Sequence, residues 1–241
     1  FPDKINLEVN VEEKNTGEAS IGAGYSSANA ASINLGLREN NFLGKGQKVK
    51  FDTSFSNTRN AYDISITEPY FNNKPLSLTT NLYSNFTDPT NVNYETEDLG
   101  FGLSSSFPLS TDRYIEIRYS LFTSKIKANS NATAYENALA GTDTVSSVGY
   151  TLAFDKRNSR YKPSNGFNFE ISQDLAGLGG DSHYYKNSFE FNYYKRLSKR
   201  LIGAYKLHGG NINGYNDKYS PLSSNFKLGG KKLRGFKSGK I

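Results

Sequence analysis

Residues 48–55, KVKFDTSF, alternate polar and apolar side chains, with Thr53 as the one polar residue in the apolar series. Successive side chains of an extended strand point to opposite faces, so this pattern predicts a strand with one apolar and one polar face. The same alternation recurs in YIEIRYSL at 114–121, VGYTLAF at 148–154 and FEFNY at 189–193. The repeated pattern predicts an all-β protein built from two-faced strands.

Eleven segments of this kind are predicted along the chain. They lie at about 18–26, 30–39, 46–57, 60–70, 75–87, 96–108, 113–127, 145–156, 165–175, 183–195 and 200–211. Most reach the roughly 9–11 residues with which a tilted strand crosses a bilayer. Tyr and Phe recur near segment ends, as interfacial aromatic belts require. Short turns such as 72–74 alternate with long loops such as 127–144. A water-soluble barrel would alternate too, but strand length, aromatic belts and loop lengths together favour a transmembrane antiparallel β-barrel.

Composition excludes several other classes of protein. Only 36% of residues are hydrophobic and the mean hydropathy is −0.63, which excludes a protein of membrane-spanning helices. The chain has no cysteine, and its two histidines, His183 and His208, are far apart in the sequence. Neither a Ser-His-Asp set nor a phosphate-binding loop is present. The sequence therefore predicts no catalytic, cofactor-binding or metal site, and a protein that is not an enzyme.

Positive charge is concentrated in the last part of the chain. The net charge is +6, and residues 195–241 contain 12 Lys and Arg but one acidic residue, Asp217. No nucleic-acid recognition motif accompanies this charge, so nucleic acid is not an expected partner. Acidic walls of a barrel lumen or anionic lipid explain the charge more simply.

The two ends of the sequence suggest a domain organisation. The alternating residues 5–11 indicate the closing strand of a preceding soluble domain, so we assign 1–16 to that domain and its linker and 17–241 to the barrel. Bacterial single-chain barrels have an even number of strands, whereas eleven are predicted here. We therefore expect the chain to be an internal fragment whose barrel needs further strands, and we favour this over removal of a signal peptide as the explanation of the start at Phe1.

Several motifs occur in an order and spacing that resembles the BamA family of outer-membrane assembly factors, within the POTRA-plus-barrel surface antigen superfamily. They are INLEVNVEE at 5–13, EASIGAGY at 18–25, NNFLGKG at 40–46, TEPYF at 67–71, FDKRNSRYKPSNG at 154–166 and Asn225-Phe226, Gly229-Gly230 and LRGF at 225–236. Single glycine turns are weak signals, but the series covers nearly the whole chain. The resemblance implies a sixteen-stranded barrel preceded by POTRA domains, with this chain ending in the sixth extracellular loop.

The resemblance also implies an activity and partners. Members of this family fold and insert other β-barrels into the bacterial outer membrane, through a lateral gate where the first and last strands meet. The implied partners are unfolded outer-membrane protein clients, accessory lipoproteins of an assembly complex and outer-membrane lipids. A TamA-like or two-partner-secretion transporter is the alternative within transport. A passive porin or adhesin would need neither a preceding POTRA strand nor the LRGF loop.

Two groups of residues are the candidate sites. The loop motif consists of Leu233, Arg234, Gly235 and Phe236. Arg234 either pins the loop inside the barrel by binding wall carboxylates, as the resemblance implies, or lies on a solvated loop; Gly235 would allow close backbone approach. The second group is the first strand of the lateral gate, comprising Ser20, Ile21, Gly22, Ala23, Gly24 and Tyr25. Its glycines indicate either an edge that opens to template a client or ordinary barrel curvature.

Two charged clusters have simpler interpretations. Glu95, Glu97 and Asp98 lie at the entry of a predicted strand, where we expect a solvated turn rather than an acid–base pair. Asp155 and the cations that follow it are interpreted as a turn. His208 is expected to line the lumen, and His183 to lie near an interface.

Overall fold

The computed structural model describes residues 7–12, 14–26, 30–88, 92–216, 220–221, 224–226, 228 and 235–236. In this part of the chain eleven antiparallel strands form one sheet in the order β1 to β11. The strands are β1 Gly17–Ser26, β2 Ala30–Phe42, β3 Gln47–Ser56, β4 Arg59–Glu68, β5 Ser77–Thr87, β6 Tyr94–Ser110, β7 Arg113–Ala128, β8 Gly141–Asp155, β9 Gly166–Gly180, β10 Tyr184–Arg196 and β11 Ile202–Gly214. The predicted all-β class and number of strands are confirmed. The helices of the described residues include a 3-10 helix, Phe71–Asn73, and helix α1, Ala134–Ala138.

No helix in the described residues has the length and apolarity needed to cross a membrane. Residues 7–12 have no regular secondary structure, and the apolar side chains of Leu7, Val9 and Val11 are 85%, 70% and 84% exposed. The assignment of this segment to a preceding domain stays a prediction.

The alternation sorts side chains onto two faces of the sheet. On the apolar face, Ile64 lies between Phe51 of β3 and Leu82 of β5. Ile64, Leu82 and Ile117 are 44%, 55% and 51% exposed, and Phe51 and Phe191 are half-buried. These side chains do not converge in a dry interior, as they would in a soluble sandwich. An extensive uncovered apolar face is the arrangement that a barrel in lipid requires.

The opposite, polar face carries a small buried cluster instead of a large core. Val145, Ala176 and Tyr184 are at most 4% exposed, and Phe122 and Ile212 pack against them. These residues come from five different strands, β7 to β11. The cluster therefore holds together the wall on which the loop after β11 rests.

The register of the strands indicates that they are tilted. One row of paired residues begins at Val49, near the start of β3, and passes through Leu103 and Val148 to Asn213, near the end of β11. A row that crosses from one end of the strands to the other indicates strongly tilted strands, as barrel closure requires.

The connections form two rims. The turn rim contains residues 43–46, 69–76, 111–112, 156–165 and 197–201, and the loop rim contains the other connections. The longest loop, 129–140 with helix α1, lies on the loop rim as predicted. Two connections differ from the predicted alternation of short turns and long loops. On the loop rim, β3 and β4 are joined by Asn57 and Thr58 alone, and on the turn rim, residues 156–165 make a long connection.

The end of β9 was not predicted. The predicted strand ends at 175, whereas β9 continues to Gly180. Gly177, Gly179 and Gly180 have φ values of 126°, 92° and 97°, and the β8–β9 register shifts between Val145 and Ser147. Glycines with positive φ usually indicate a turn. Here they form a bulge that extends the strand.

Hydrogen bonds to Glu136 stabilise the loop that contains α1. Its carboxylate accepts hydrogen bonds from the backbone N–H of Thr133 at 2.8 Å and of Asn93 at 3.2 Å, and Thr133 Oγ1 caps the N–H of Glu136 at 3.2 Å. This is a capping box that also reaches the loop before β6. These backbone N–H groups, that of Thr133 first, lower the pKa of Glu136 from 4.5 to about 2.

The lowered pKa of Glu136 predicts how this loop responds to acid. Because the folded-state pKa lies below the usual value, the stabilisation is complete above about pH 4.5 and is lost as the pH falls toward 2. Hydrogen exchange of residues 129–140, corrected for intrinsic rates, should therefore accelerate across that window. Glu136→Gln should exchange faster at neutral pH and show no such transition. Equal protection of the wild-type loop at pH 6 and at its lowest measurable pH would contradict the prediction.

Candidate functional site

Strand β1 is an edge of the sheet. Residues Ser20 to Tyr25, the predicted gate strand, pair with Gly36 to Ala31 of β2, and in the described residues no strand pairs with the other side of β1. Successive N–H groups of an antiparallel strand point alternately toward and away from its partner. Half of the backbone groups of β1 therefore point away from β2.

Side chains contribute little to holding β1. Ile21 and Tyr25 are 80% and 84% exposed, and the hydrogen bond from Ser20 Oγ to the Gly36 carbonyl measures a long 3.4 Å. An added Cβ at Gly22 would meet nothing within 4 Å, whereas at Gly36 it would lie 2.6 Å from Ser20 Oγ. A side chain at position 36 would therefore require Ser20 Oγ to move, whereas one at position 22 would meet open space. The absence of a side chain at Gly22 removes cross-strand packing, which favours a weakly held edge over a steric role.

The start of β1 is fastened more firmly than the rest. Thr16 Oγ1 donates a short hydrogen bond to Glu39 Oε1, and Asn40 donates to the Thr16 carbonyl through Nδ2 at 3.2 Å and through its backbone N at 3.4 Å. These contacts tie the start of β1 to the turn rim. Near the opposite end of β1, the side-chain contact is the long hydrogen bond from Ser32 Oγ to the Gly24 carbonyl, at 3.4 Å.

The loop motif is described in part. Leu233 and Arg234 lie outside the described residues, so the predicted pinning of Arg234 stays a prediction. Gly235 has a φ of 92°, and no described atom lies within 4 Å of the place a Cβ would occupy. This positive φ favours glycine at position 235, and its predicted role in close backbone approach stays a prediction. Phe236 is 54% exposed.

The base of this loop rests on the polar face of β10. Tyr184 Oη and Ser224 Oγ are 2.9 Å apart in a buried hydrogen bond, and Lys186 Nζ donates to the Ser224 carbonyl at 2.6 Å. Ser224 is 7% exposed, and Pro221 beside it is also buried. The chain after β11 therefore turns back onto the wall instead of extending into solvent.

Aromatic contacts complete the base. Lys186 Nζ lies 4.8 Å from the centre of the Phe226 ring, and that ring would overlap any Cβ at Gly210 of β11. Tyr215 Oη donates to the Ala176 carbonyl of β9 at 2.6 Å, and its ring lies 5.4 Å from that of His183. We call Tyr184, Lys186, Ser224 and Phe226 the loop base. Sequence reasoning missed it, since the alternation indicates only that Tyr184 and Lys186 share a face.

An ion pair spans three strands of the same wall; we call its two residues, Arg118 and Asp174, the charged brace. Arg118 of β7 reaches over Gly149 of β8 to Asp174 of β9, with its Nε and Nη2 at 2.8 and 2.7 Å from Oδ1. Its Nη1 also donates to Thr151 Oγ1 at 2.6 Å. A Cβ at Gly149 would overlap the Asp174 carboxylate, so the glycine makes room for the pair. This brace was not predicted, because its two charged residues are 56 positions apart.

Removal of the brace should weaken the barrel. Arg118→Ala leaves a half-buried Asp174 carboxylate without its cation, and we expect the free energy of unfolding to fall by about 2 kcal/mol. The unfolding midpoint in urea, measured in detergent micelles, checks this. Arg38→Ala, on the same face and with no ion pair among the described residues, is the matched control. A midpoint equal to that of the control would show that the brace is not stabilising.

The remaining charged positions form local ion pairs. Glu95 and Glu97 bind Lys127 Nζ at 3.0 and 2.7 Å on the apolar side of β6, whereas Asp98 points to the opposite face. They lie within β6, not in the predicted turn. Asp155 binds Arg157 Nη2 at 2.7 Å at the start of the 156–165 connection, as a turn interpretation requires. His208 lies on the polar face opposite Glu190.

Comparison with known proteins places this architecture in a family. The family model of the Omp85 superfamily domain matches residues 41–241. The sorting and assembly machinery component 50 homolog of Mus musculus is 28% identical over 235 residues, which cover 96% of this chain and 49% of the relative. The outer membrane protein assembly factor BamA of Nitratidesulfovibrio vulgaris is 28% identical over 244 residues, covering 98% of this chain and 30% of the relative.

A solved structure shares the fold. The crystal structure of BamA from Haemophilus ducreyi lacking POTRA domains 1–3 superposes with a TM-score of 0.84 at 24% identity, covering 95% of this chain and 47% of that one. The chain thus spans half or less of the proteins that it matches. The predicted resemblance to BamA is confirmed.

Proposed function

The chain belongs to the Omp85 superfamily, an outer-membrane β-barrel family, and from this premise we propose that it assembles other β-barrel proteins into an outer membrane. The observation that carries the proposal is the weak side-chain hold on β1, where Ile21 and Tyr25 are 80% and 84% exposed and the bond from Ser20 Oγ to the Gly36 carbonyl measures 3.4 Å. Assembly by this route involves no covalent chemistry. It needs a template strand that can exchange its partner.

Strand addition supplies the driving force. A backbone N–H or C=O left unpaired in hydrocarbon costs several kcal/mol, because an amide–carbonyl hydrogen bond there is worth about 4–6 kcal/mol. When β1 separates from the strand that pairs with its other side, its edge therefore attracts the strand of an incoming client. The pairing uses main-chain groups, so one edge serves clients of many sequences. Ser20 to Tyr25 are the template in this proposal, and their opening is the lateral gate.

The loop after β11 keeps the wall and the lumen in a fixed arrangement. The described loop base lies on the polar face, which supports an inward path for the motif that follows it. In this proposal Arg234 binds carboxylates inside the barrel, and Phe236 packs beside it. Arg234→Ala should then lower client assembly and heat stability together, and a variant unchanged in both would end this part of the proposal.

Location and partners follow from the same proposal. The clients are unfolded outer-membrane proteins, and the partners are accessory lipoproteins and outer-membrane lipids. The bacterial outer membrane is the proposed location, with residues 1–16 as the end of a POTRA domain. Further strands pair with the edges of β1 and β11, since open edges are not stable in lipid.

Depletion in the native cell tests the proposed function. When the protein is depleted, unrelated outer-membrane barrels should decrease together, while periplasmic proteins stay at their normal levels. Restored expression of the full-length protein should restore the barrels. Unchanged barrel levels during depletion would contradict the proposal.

A further inference from the structure

A dense group of cations occupies one part of the turn rim. Residues 156–165 and 195–201 contain eight Lys and Arg and no acidic residue. The two segments are neighbours, because the backbone N–H of Arg196 donates to Asn165 Oδ1 at 3.2 Å. Their charges therefore act on the same region of the surface.

Only some of these cations have acidic partners. Asp155 binds Arg157 and, at 3.4 Å, Arg160, and Asp112 lies 3.6 Å from Lys156. The others are exposed and form no ion pair with the described residues. We call them the rim cations: Lys162, Lys195, Arg196, Lys199 and Arg200.

The apolar face leads directly to the rim cations. Along β10, Phe189, Phe191 and Tyr193 point to the apolar face, and Lys195 follows them on that face. Tyr193 and its partner Tyr205 are 41% and 56% exposed. Apolar side chain, amphipathic aromatic ring and cation thus follow one another as hydrocarbon, interface and headgroups do in a bilayer.

Two further observations place the rim cations at a membrane surface. Leu197 and Leu201, in the turn between Lys195 and Ile202, are 63% and 57% exposed. On β7 of the same rim, the Arg113 guanidinium lies 5.5 Å from the centre of the Phe154 ring. Exposed leucines beside lysines suit the edge of a bilayer, where the alkyl groups enter the lipid and the ammonium groups stay at the phosphates.

We propose that the rim cations bind the phosphate headgroups of anionic phospholipids in the membrane leaflet at the turn rim. An acidic protein would complement the charge but would leave Leu197 and Leu201 unexplained, so the lipid is the occupant that the observations favour. Each cation near an anionic surface contributes about fivefold in affinity. Headgroup binding fixes the depth of β10 and β11, the part of the sheet opposite the β1 edge.

The test compares two pairs of exposed turn cations in the full-length protein. Lys199→Gln/Arg200→Gln removes two rim cations, and Lys45→Gln/Lys74→Gln removes two exposed lysines from other turns of the same rim, with the same change in net charge. Each protein is reconstituted in phosphatidylcholine vesicles that contain spin-labelled phosphatidylglycerol or phosphatidylcholine. The fraction of immobilised label gives the relative association of the two lipids.

We expect wild type and control to prefer phosphatidylglycerol, and the rim variant to lose about fivefold or more of that preference at low salt. High salt should reduce the preference of the wild type. A variant that retains the preference, or a control that loses it equally, would overturn the proposal. A rim variant that keeps its lipid preference but no longer binds an acidic protein partner would also overturn the proposal. The readout does not involve client assembly, so its failure is separate from that of the proposed function.

Discussion

Proline at the consecutive positions Gly22 and Ala23 is expected to separate sheet stability from client assembly. Proline removes one backbone N–H, and of two neighbours in an antiparallel strand one points toward the partner and the other away. The variant that loses the N–H directed at β2 should lose heat stability. The other variant should keep wild-type heat stability and assemble clients at least tenfold more slowly, because the template lacks a donor in a medium without water.

The measurement pairs a heat-unfolding curve with the rate at which a labelled client becomes protease-resistant in vesicles. Gly22→Ala is the control, since it keeps the N–H and its methyl group meets nothing within 4 Å. We expect it to assemble clients at the wild-type rate. A proline variant with both wild-type heat stability and a wild-type rate would show that β1 is not the template.

Ser224→Lys is expected to lower client assembly about tenfold while the sheet stays folded. Ser224 is buried beside the Lys186 ammonium, so a second cation there is both desolvated and repelled. The loop base then leaves the wall. The strands should stay paired, because Ser224 lies outside them and contributes no ladder hydrogen bond, and heat stability should fall no further than in Arg234→Ala.

Two matched variants isolate the cause of this effect. Ser224→Thr keeps the hydroxyl and should assemble clients near the wild-type rate. Lys186→Met in the Ser224→Lys background removes the repulsion and should recover part of the activity. If Ser224→Lys assembles clients normally although protease cleavage shows that the loop is released, the loop base has no role in assembly.

The number of strands and the division of their faces were predictable because local periodicity encodes them. Residues 48–55 predict β3, and their alternation places Phe51 on the apolar face, where the structure has it. The end of β9 was predicted less well. The predicted strand ends at 175, but a bulge beside the contact of Tyr215 with Ala176 keeps Gly177, Gly179 and Gly180 in β9.

Contacts between distant positions could not be predicted from periodicity. Tyr184 and Ser224 are 40 residues apart, and Arg118 and Asp174 are 56 apart. Each of these two contacts can form only because the register places β7 to β11 side by side. Gly149 and Gly210 could have given a hint, since each is a gap on the polar face of a strand, but a gap does not reveal which side chain fills it.

The sheet has two differently packed parts: β1 is held weakly, and β7 to β11 are packed firmly around the loop base. At one edge β1 depends on its ladder with β2 and on the contacts of Thr16 at its start. At the other, β7 to β11 share a buried cluster, a charged brace and the loop base. Local opening is therefore expected at the β1 edge, where the fewest side-chain contacts must be broken.

Disulfide crosslinking between β1 and a stalled client tests the central claim most directly. Single cysteines at Ser20, Gly22 and Gly24, which share the polar face, are combined with single cysteines along the final strand of the client; Ser104, in the middle of β6, is the control position. We predict that each β1 cysteine crosslinks to one client position and that the register advances by two residues from each to the next. Productive assembly without crosslinks to β1, or with equal crosslinking at Ser104, would contradict strand templating at this edge.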